Sequence, residues 1–477
     1  MSAIGLIEKP RNAQSPPGQP ALRGFGWDID SPYSTSLAPA FSPRSFGHTG
    51  YTGTLLWIDP ETRSHLIILS NRLHPDSAGN VMPLFRHVAA LVGAAAAEVA
   101  RGRRVLTGID VLEAYGFRGL QGMRIGLITN ASGRDGAGRR TADVLFHAPG
   151  VRLRALFSPE HGLEGTSNEQ VASGTDAATG LPVYSLYGDT LRPTDAMLDG
   201  LDALVFDIQD AGARFYTYAS TMGYAMEEAA RRGIRFIVLD RPNPVNADVV
   251  QGPVLDSDLI SFTGYMPMPV RHGMTMGELA RMFDGEGKLQ TRLKVVAMRY
   301  YRRDSWYDQT GLAWIRPSPN LRSLDEAILY PGVALLEGAN LSVGRGTDTP
   351  FELLGAPWID GDLLARNLQA RALAGVTFGA VDFTPRQSAF VDEVCHGVRI
   401  TVTDRAKVDS PRLGVELLSA LWRLYPGRLE IDKTLLMVGS RRTLAAIESG
   451  QDPAAIAQSW DAGLEAFRQR RDRYLVY

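Results

Sequence analysis

Glu160 and His161 stand side by side in the stretch LFSPEHGLEG, between a proline and a glycine. A carboxyl group next to an imidazole can work as an acid/base pair, provided that a turn holds both toward a substrate. The apolar run VRLRALF precedes them and reads as a strand, so the pair falls just beyond a strand's carboxyl end, where open α/β sheets bind ligands. The competing reading is a loop whose charges merely face water. Polar residues recur at equivalent places: Asn130 after MRIGLIT; Asp207, Gln209 and Asp210 after LDALVF; Asp240, Arg241 and Asn243 after IRFIVL. Parallel neighbouring strands would bring all of these to one edge of one sheet.

The elements needed for that convergence are legible. Short apolar runs at 123–130, 151–157, 201–208 and 234–240 alternate with helical patterns near 141–147 and over TMGYAMEEAARRG, which predicts a Rossmann-like parallel sheet covered on both faces. Thr107 with Asp110 and Thr275 with Glu278 are spaced as capping boxes that open helices. Residues 101–312 therefore read as a Rossmann-like domain, and 313–477, where helices alternate with VTFGAVDF and GVRITVTD, as a second α/β domain completing the cleft. A Gly/Pro-rich stretch at 314–358 between them has the character of ordered loops that shape a pocket. Residues 1–100 differ: a loose Pro/Gln/Ser/Gly opening from Met1 to Pro20, a hairpin over YTGTLLWID and SHLIILSN, then a helix from Met82 to Ala100.

Composition excludes several classes. The 477 residues imply two or three domains, and 44% apolar with 21% charged residues is the make-up of a soluble globular protein. A net charge of −2 gives no electrostatic case for nucleic acid, and no apolar run approaches the ~20 residues of a membrane span. The single cysteine, Cys395, sits in a half-buried strand pattern and reads as structural. No G-x-G-x-x-G, Walker loop, H-E-x-x-H or Cys/His cluster occurs, so no cofactor and no metal is expected. Met1 to Pro20 lacks the charged-then-apolar design of a signal peptide, which leaves localisation open.

Two resemblances sharpen the reading. HTGYTGTLLWIDPETRSHLIILSNRLHP resembles the carboxyl-terminal end of the serine β-lactamase and penicillin-binding-protein superfamily, with His48-Thr49-Gly50 as the strand bordering the acyl site. The S-x-x-K nucleophile is absent from residues 1–100, where Lys9 is the only lysine, so the segment reads as the tail of a longer fused enzyme whose amino-terminal portion is missing. From about Thr107 to Tyr477, PEHGLEG, LPVYSLYG, DIQDAGARFYTY, LDRPNP, RHGMTMGELA, PSPN, EGANLSVGRGT, PFELLGAPW and YLVY follow one another in an order similar to the exo-β-N-acetylmuramidase family. One departure is Ala339 in EGANLS, where that family favours threonine.

The resemblance implies a glycosidase that removes N-acetylmuramic acid from the non-reducing end of peptidoglycan-derived disaccharides or muropeptides, a task for which relatives are often exported, with a cytoplasmic location left open. Glycoside hydrolysis usually needs an acid for the leaving oxygen and a second carboxylate. Glu160, with His161 beside it, is the candidate acid; Asp207, Asp210 and Glu337 are the candidates for the second group. Arg214 and Arg345 could grip the lactyl carboxylate, although Asp210 and Arg214, four apart, could instead pair with each other. Tyr216 and Tyr218 could present an apolar face to a sugar or pack into the core. Asn130, Asp240, Arg241, Asn243, His272 and Asn340 complete the candidate contacts, with turn-building or burial as the alternative for several of them. A non-catalytic muropeptide-binding module, or less plausibly a serine hydrolase, are the competing functions. The last is checked directly: with no S-x-x-K, the chain should take up no label from a penicillin-type acylating probe, and stoichiometric labelling would revive that chemistry.

Overall fold

In the computed structural model the described residues are 22–24, 27–30, 41–42, 45–60, 62, 64–74, 76, 79–101, 104–167 and 169–477. The opening stretch Met1 to Pro20, expected to be loose, lies outside them. Two compact units are formed, a smaller one drawn mainly from residues before 106 and a larger one of Leu106–Met298 with Arg303–Val476.

In the smaller unit, β1 (Leu22–Gly24), β2 (Trp27–Asp30), β3 (Phe46–Gly50), β4 (Thr54–Asp59) and β5 (Ser64–Leu69) make one antiparallel sheet in that order. The expected hairpin is β4 with β5, and three further strands extend it. The helix Met82–Arg101 supplies Phe85 and Ala89 to a small core with Leu55, Trp57 and Leu66. Alternation along β5 leaves Ile67 and Leu69 exposed.

The larger unit is built on a parallel sheet. Its strands are β6 (Arg124–Thr129), β7 (Arg152–Ser158), β8 (Gly174–Thr175), β9 (Pro182–Ser185), β10 (Ala203–Asp207) and β11 (Arg235–Leu239). A two-stranded ribbon, β12 (Gln251–Val254) with β13 (Pro269–Arg271), precedes the last sheet strand, β14 (Arg292–Val296). The order across the sheet is β14-β11-β10-β6-β7-β9-β8, all parallel except β8 against β9. Period-two alternation divides each strand between two cores. Ala203, Val205, Ile237 and Leu239 face the helices Gly108–Ala114 and Thr141–Phe146, whereas Leu204, Phe206, Phe236 and Val238 join the larger cluster that includes the helices Tyr218–Arg232 and Met276–Gly287. The edge strand β14 was not legible in advance, because its Arg and Lys alternate outward and break the apolar run.

Residues 313–477 add β15 (Leu353–Ala356), β16 (Val376–Phe383) and β17 (Cys395–Val402), an antiparallel sheet in the order β15-β17-β16. The helix Gly361–Ala370 packs on it and the helix Ser410–Leu424 packs against that helix, and the buried side chains of both are continuous with the larger cluster of the parallel sheet. Both sequence-derived capping boxes are present, at Thr107/Asp110 and Thr275/Glu278.

Because β10 returns to the far side of β6 from β7, the sheet reverses direction beside β6, and the polar strand ends gather there. Asp207 and Arg241 are both buried and form a bidentate pair at 2.5 and 2.9 Å. The Thr141 hydroxyl donates to the same carboxylate, and Arg241 also donates to the Arg134 carbonyl at 2.7 Å. Asp240 accepts from the Thr275 hydroxyl and the Gly277 N–H, both at 2.8 Å, fastening the start of the helix Met276–Gly287. Replacing one member of a buried pair strands the other charge. Asp207→Ala should therefore lower the unfolding free energy by about 3–5 kcal/mol, read from the denaturant midpoint; a midpoint within error of wild type would contradict this account.

Candidate active site

Pro159 ends β7 and starts a tight turn in which the Gly162 N–H donates to the Pro159 carbonyl at 3.0 Å. His161 and Gly162 both take positive φ, 72° and 77°, so the chain reverses within two residues and holds Glu160 at the sheet edge. The His161 Nδ1 lies 2.6 Å from the Ser167 carbonyl, which can only accept, so Nδ1 carries the proton and Nε2 keeps its lone pair in the neutral ring. Burial lowers the His161 pKa, and the nearby Arg345 guanidinium acts in the same direction against the opposing pull of Glu160.

Glu160 is held from both sides. The Thr217 hydroxyl, at the start of the helix Tyr218–Arg232, donates to its Oε2. The Tyr187 hydroxyl, two residues beyond β9, faces the same carboxylate, and burial together with that negative charge pushes the phenol up to about 12. Tyr187 therefore remains a hydrogen-bond donor throughout the neutral range.

Glu160 and His161 line a cleft of about 370 Å³ with Tyr216, Thr217, Glu337 and Arg345. That volume lies in the range of about 300–1,000 Å³ usual for small-molecule sites. Phe215, Tyr330 and Phe351 form an edge-to-face aromatic group in its wall, with ring centroids 5.3 and 4.8 Å apart. Arg345 grips Glu337 with Nε on Oε1 and Nη2 on Oε2, the latter at 3.1 Å. Burial opposes the Arg345 charge, but the Glu337 carboxylate outweighs it and raises the pKa further. Glu337 is brought in by Gly338, whose φ of 95° and closeness to the Lys433 carbonyl, 2.5 Å from where a Cβ would stand, leave room for glycine alone.

The amino-terminal model of exo-β-N-acetylmuramidase NamZ matches residues 125–325 and the carboxyl-terminal model matches 328–477. Peptidoglycan β-N-acetylmuramidase NamZ of Bacillus subtilis (strain 168) is 43% identical over 389 residues, which cover 80% of this chain and 93% of that protein. The chain belongs to the exo-β-N-acetylmuramidase family. Two crystal structures of DUF1343 family proteins from Bacteroides fragilis share this muramidase fold, with TM-scores of 0.73 and 0.66 and identities of 37% and 32%; they cover 78% and 79% of this chain and 99% of each of theirs. A β-lactamase model matches residues 6–106, and a putative D-alanyl-D-alanine carboxypeptidase of Salmonella gallinarum is 43% identical over 58 residues, 11% of this chain and 13% of that protein.

Within the cleft the structure brings together five of the residues singled out from sequence: Glu160, His161, Tyr216, Glu337 and Arg345. The others lie behind it. Asp207 and Arg241 are spent on each other, and Asp240 caps a helix. Asn243 bridges the Met274 carbonyl and the Val245 N–H, a turn-building arrangement. Arg214 does not pair with Asp210: it is buried and donates to the carbonyls of Pro253 and Met437, while Asp210 accepts from the Gly212 N–H and stands 3.3 Å from His272 Nε2. His272, wholly buried, accepts from the Met274 N–H through Nδ1.

Tyr218 and Asn130 act indirectly. The Tyr218 hydroxyl donates to the Pro317 carbonyl at 2.6 Å, and Asn130 reaches both Tyr218 and Pro317, at 3.0 and 3.2 Å. Together they hold the segment that brings Ser318 and Asn320 to the cleft. Asn340 clips the Arg428 carbonyl and the Glu430 N–H instead of reaching the cleft. Thr217, Tyr187, Ser318 and Asn320 were missed as site residues, although each falls inside or next to a motif that carried the family resemblance. Among the described residues no cluster of metal-ligating side chains occurs and no helix is long and apolar enough to cross a membrane.

The depressed His161 pKa fixes the sign of a pH effect. A neutral ring favoured in the fold stabilises it above the ordinary imidazole pKa of about 6.5, and that contribution is lost as pH falls from there through the lower folded value. The melting-temperature difference between wild type and His161→Gln should accordingly shrink, in the direction of the variant, between about pH 7.5 and about pH 5. A difference that stays constant or grows in acid would refute the assignment.

Proposed function

We propose that Glu160 is the general acid of this exo-β-N-acetylmuramidase, with Glu337 as the second carboxylate and Arg345 as the reader of the lactyl group. The observation that carries the reading is the cleft itself: of the carboxylates considered, Glu160 and Glu337 line it, while Asp207 and Asp210 are buried behind it. Thr217 and Tyr187 hold the Glu160 side chain at the cleft, where in its acid form it can pass a proton to the glycosidic oxygen. As the bond from that oxygen to the anomeric carbon breaks, the proton moves to the leaving sugar, and positive charge spreads over the ring oxygen and anomeric carbon. Glu337, clamped by Arg345, offsets that charge. Water then supplies a hydroxyl to the anomeric carbon and returns a proton to the carboxylates. No cofactor enters these steps.

The substrate proposed is a peptidoglycan-derived disaccharide or muropeptide ending in N-acetylmuramic acid, which differs from N-acetylglucosamine by its lactyl carboxylate. Arg345 commits Nε and one Nη2 hydrogen to Glu337, so its Nη1 hydrogens and the second Nη2 hydrogen are the donors available to that group. The His161 Nε2 lone pair can accept from a sugar hydroxyl.

Removing a general acid costs about 10²–10⁴ in rate, and least where the leaving group is already a stable anion. Glu160→Gln should lose activity on a muramyl disaccharide by that order and distinctly less on 4-nitrophenyl β-N-acetylmuramide. Wild type should prefer the muramide over the matching glucosaminide, and Arg345→Met should narrow that preference. Equal losses on both leaving groups would refute the acid role, and an unchanged preference would refute the role of Arg345.

A further inference from the structure

Outside the lining of the cleft, an aromatic series reaches Glu160. Tyr187, whose hydroxyl faces the Glu160 carboxylate, stacks with Phe262 at a centroid distance of 6.0 Å and an interplanar angle of 27°. Phe262 in turn meets Tyr224 at 5.9 Å and 31°. All three rings are half-buried, Phe262 directly precedes the cleft-lining Thr263, and Ile260 on the same loop is half exposed.

The series is also braced from behind. The Arg192 guanidinium lies 4.0 Å from the Tyr224 ring centroid and is tied to Glu227, which accepts from the Tyr265 hydroxyl at 2.7 Å. Tyr265 packs edge-on to Tyr224 and against buried Phe283, and it sits so close to Gly223 that a Cβ there would stand 2.6 Å from its ring. Half-exposed aromatic rings fixed by a second layer give a rigid apolar surface at low entropic cost. Pyranose rings present faces of C–H groups that match such a surface.

A general acid stands at the boundary between the sugar that is cleaved off and the sugar that leaves. We infer that the Tyr187–Phe262–Tyr224 series is the subsite for the leaving saccharide, taking the pyranose on the reducing side of the scissile bond. The inference rests on the reading of Glu160 as the acid and the lined cleft as the muramyl site. It makes a larger glycan leaving group a better substrate than its chemistry alone would dictate, because its binding places the glycosidic oxygen against Glu160.

The test compares two substrates with the same muramyl group, a muramyl-N-acetylglucosamine disaccharide and β-N-acetylmuramyl fluoride, whose leaving group is too small to touch the rings. For Phe262→Ala and Tyr224→Ala the ratio of kcat/KM on the disaccharide to that on the fluoride should fall about tenfold, mostly through KM, the scale of an aromatic contact. Phe262→Tyr should restore it. A ratio within twofold of wild type in both alanine variants, or an equal loss on both substrates, would overturn the subsite while leaving the acid assignment intact. A wild-type protein inactive on both substrates would instead overturn the muramidase reading on which the subsite rests.

Discussion

The buried pair of Asp207 and Arg241 is the constraint on which the larger unit depends. It joins the end of β10 to the chain leaving β11, and through Thr141 and the Arg134 carbonyl it also takes in the connection that follows β6. Three segments that would otherwise leave the sheet edge as free loops are thereby tied at the place where the strand order reverses. Two desolvated charges are tolerable there only because each finds several hydrogen-bonding partners. The same logic applies to Asp240, whose two oxygens serve a hydroxyl and a backbone N–H at the start of the next helix.

This arrangement divides the strand ends into a foundation and a working layer. Asp207, Asp240, Arg241 and Asn243 are consumed by the scaffold, whereas β7 and β9 send their following turns outward with Glu160 and Tyr187. Pocket walls come from farther along the chain. Glu337 and Arg345 arrive on a glycine-punctuated loop, and Phe351 and Tyr330 close the wall behind them. The resulting cleft holds two carboxylates in different settings, one met by a hydroxyl and a phenol, the other clamped by a guanidinium. Different settings are what allow two chemically equal groups to take different parts in one reaction.

The smaller unit obeys the same packing rules on a lesser scale. Leu55, Trp57 and Leu66 alternate onto the face that meets Phe85 and Ala89, and the outward positions Ile67 and Leu69 remain apolar and exposed. Its similarity to β-lactamases and to D-alanyl-D-alanine carboxypeptidases is confined to a short segment without the acylating serine and lysine.

By itself the sequence determined the strands β6, β7, β10 and β11 and the helices Thr141–Phe146 and Tyr218–Arg232, because continuous apolar runs and helical periodicity report burial directly. It also determined the turn of Glu160 and His161, since proline, glycine and the preceding strand are local signals. It did not show which polar strand end is spent inside and which stays in the cleft. Asp207 and Glu160 look alike in the sequence, each closing an apolar run, yet one meets Arg241 in the interior and the other meets Thr217 at the cleft. Arg214 and Arg345 were equally good candidates for a carboxylate until burial committed the first to the carbonyls of Pro253 and Met437. Such choices depend on partners distant in the chain, and desolvation ties a polar group to whichever partner the tertiary fold brings within reach.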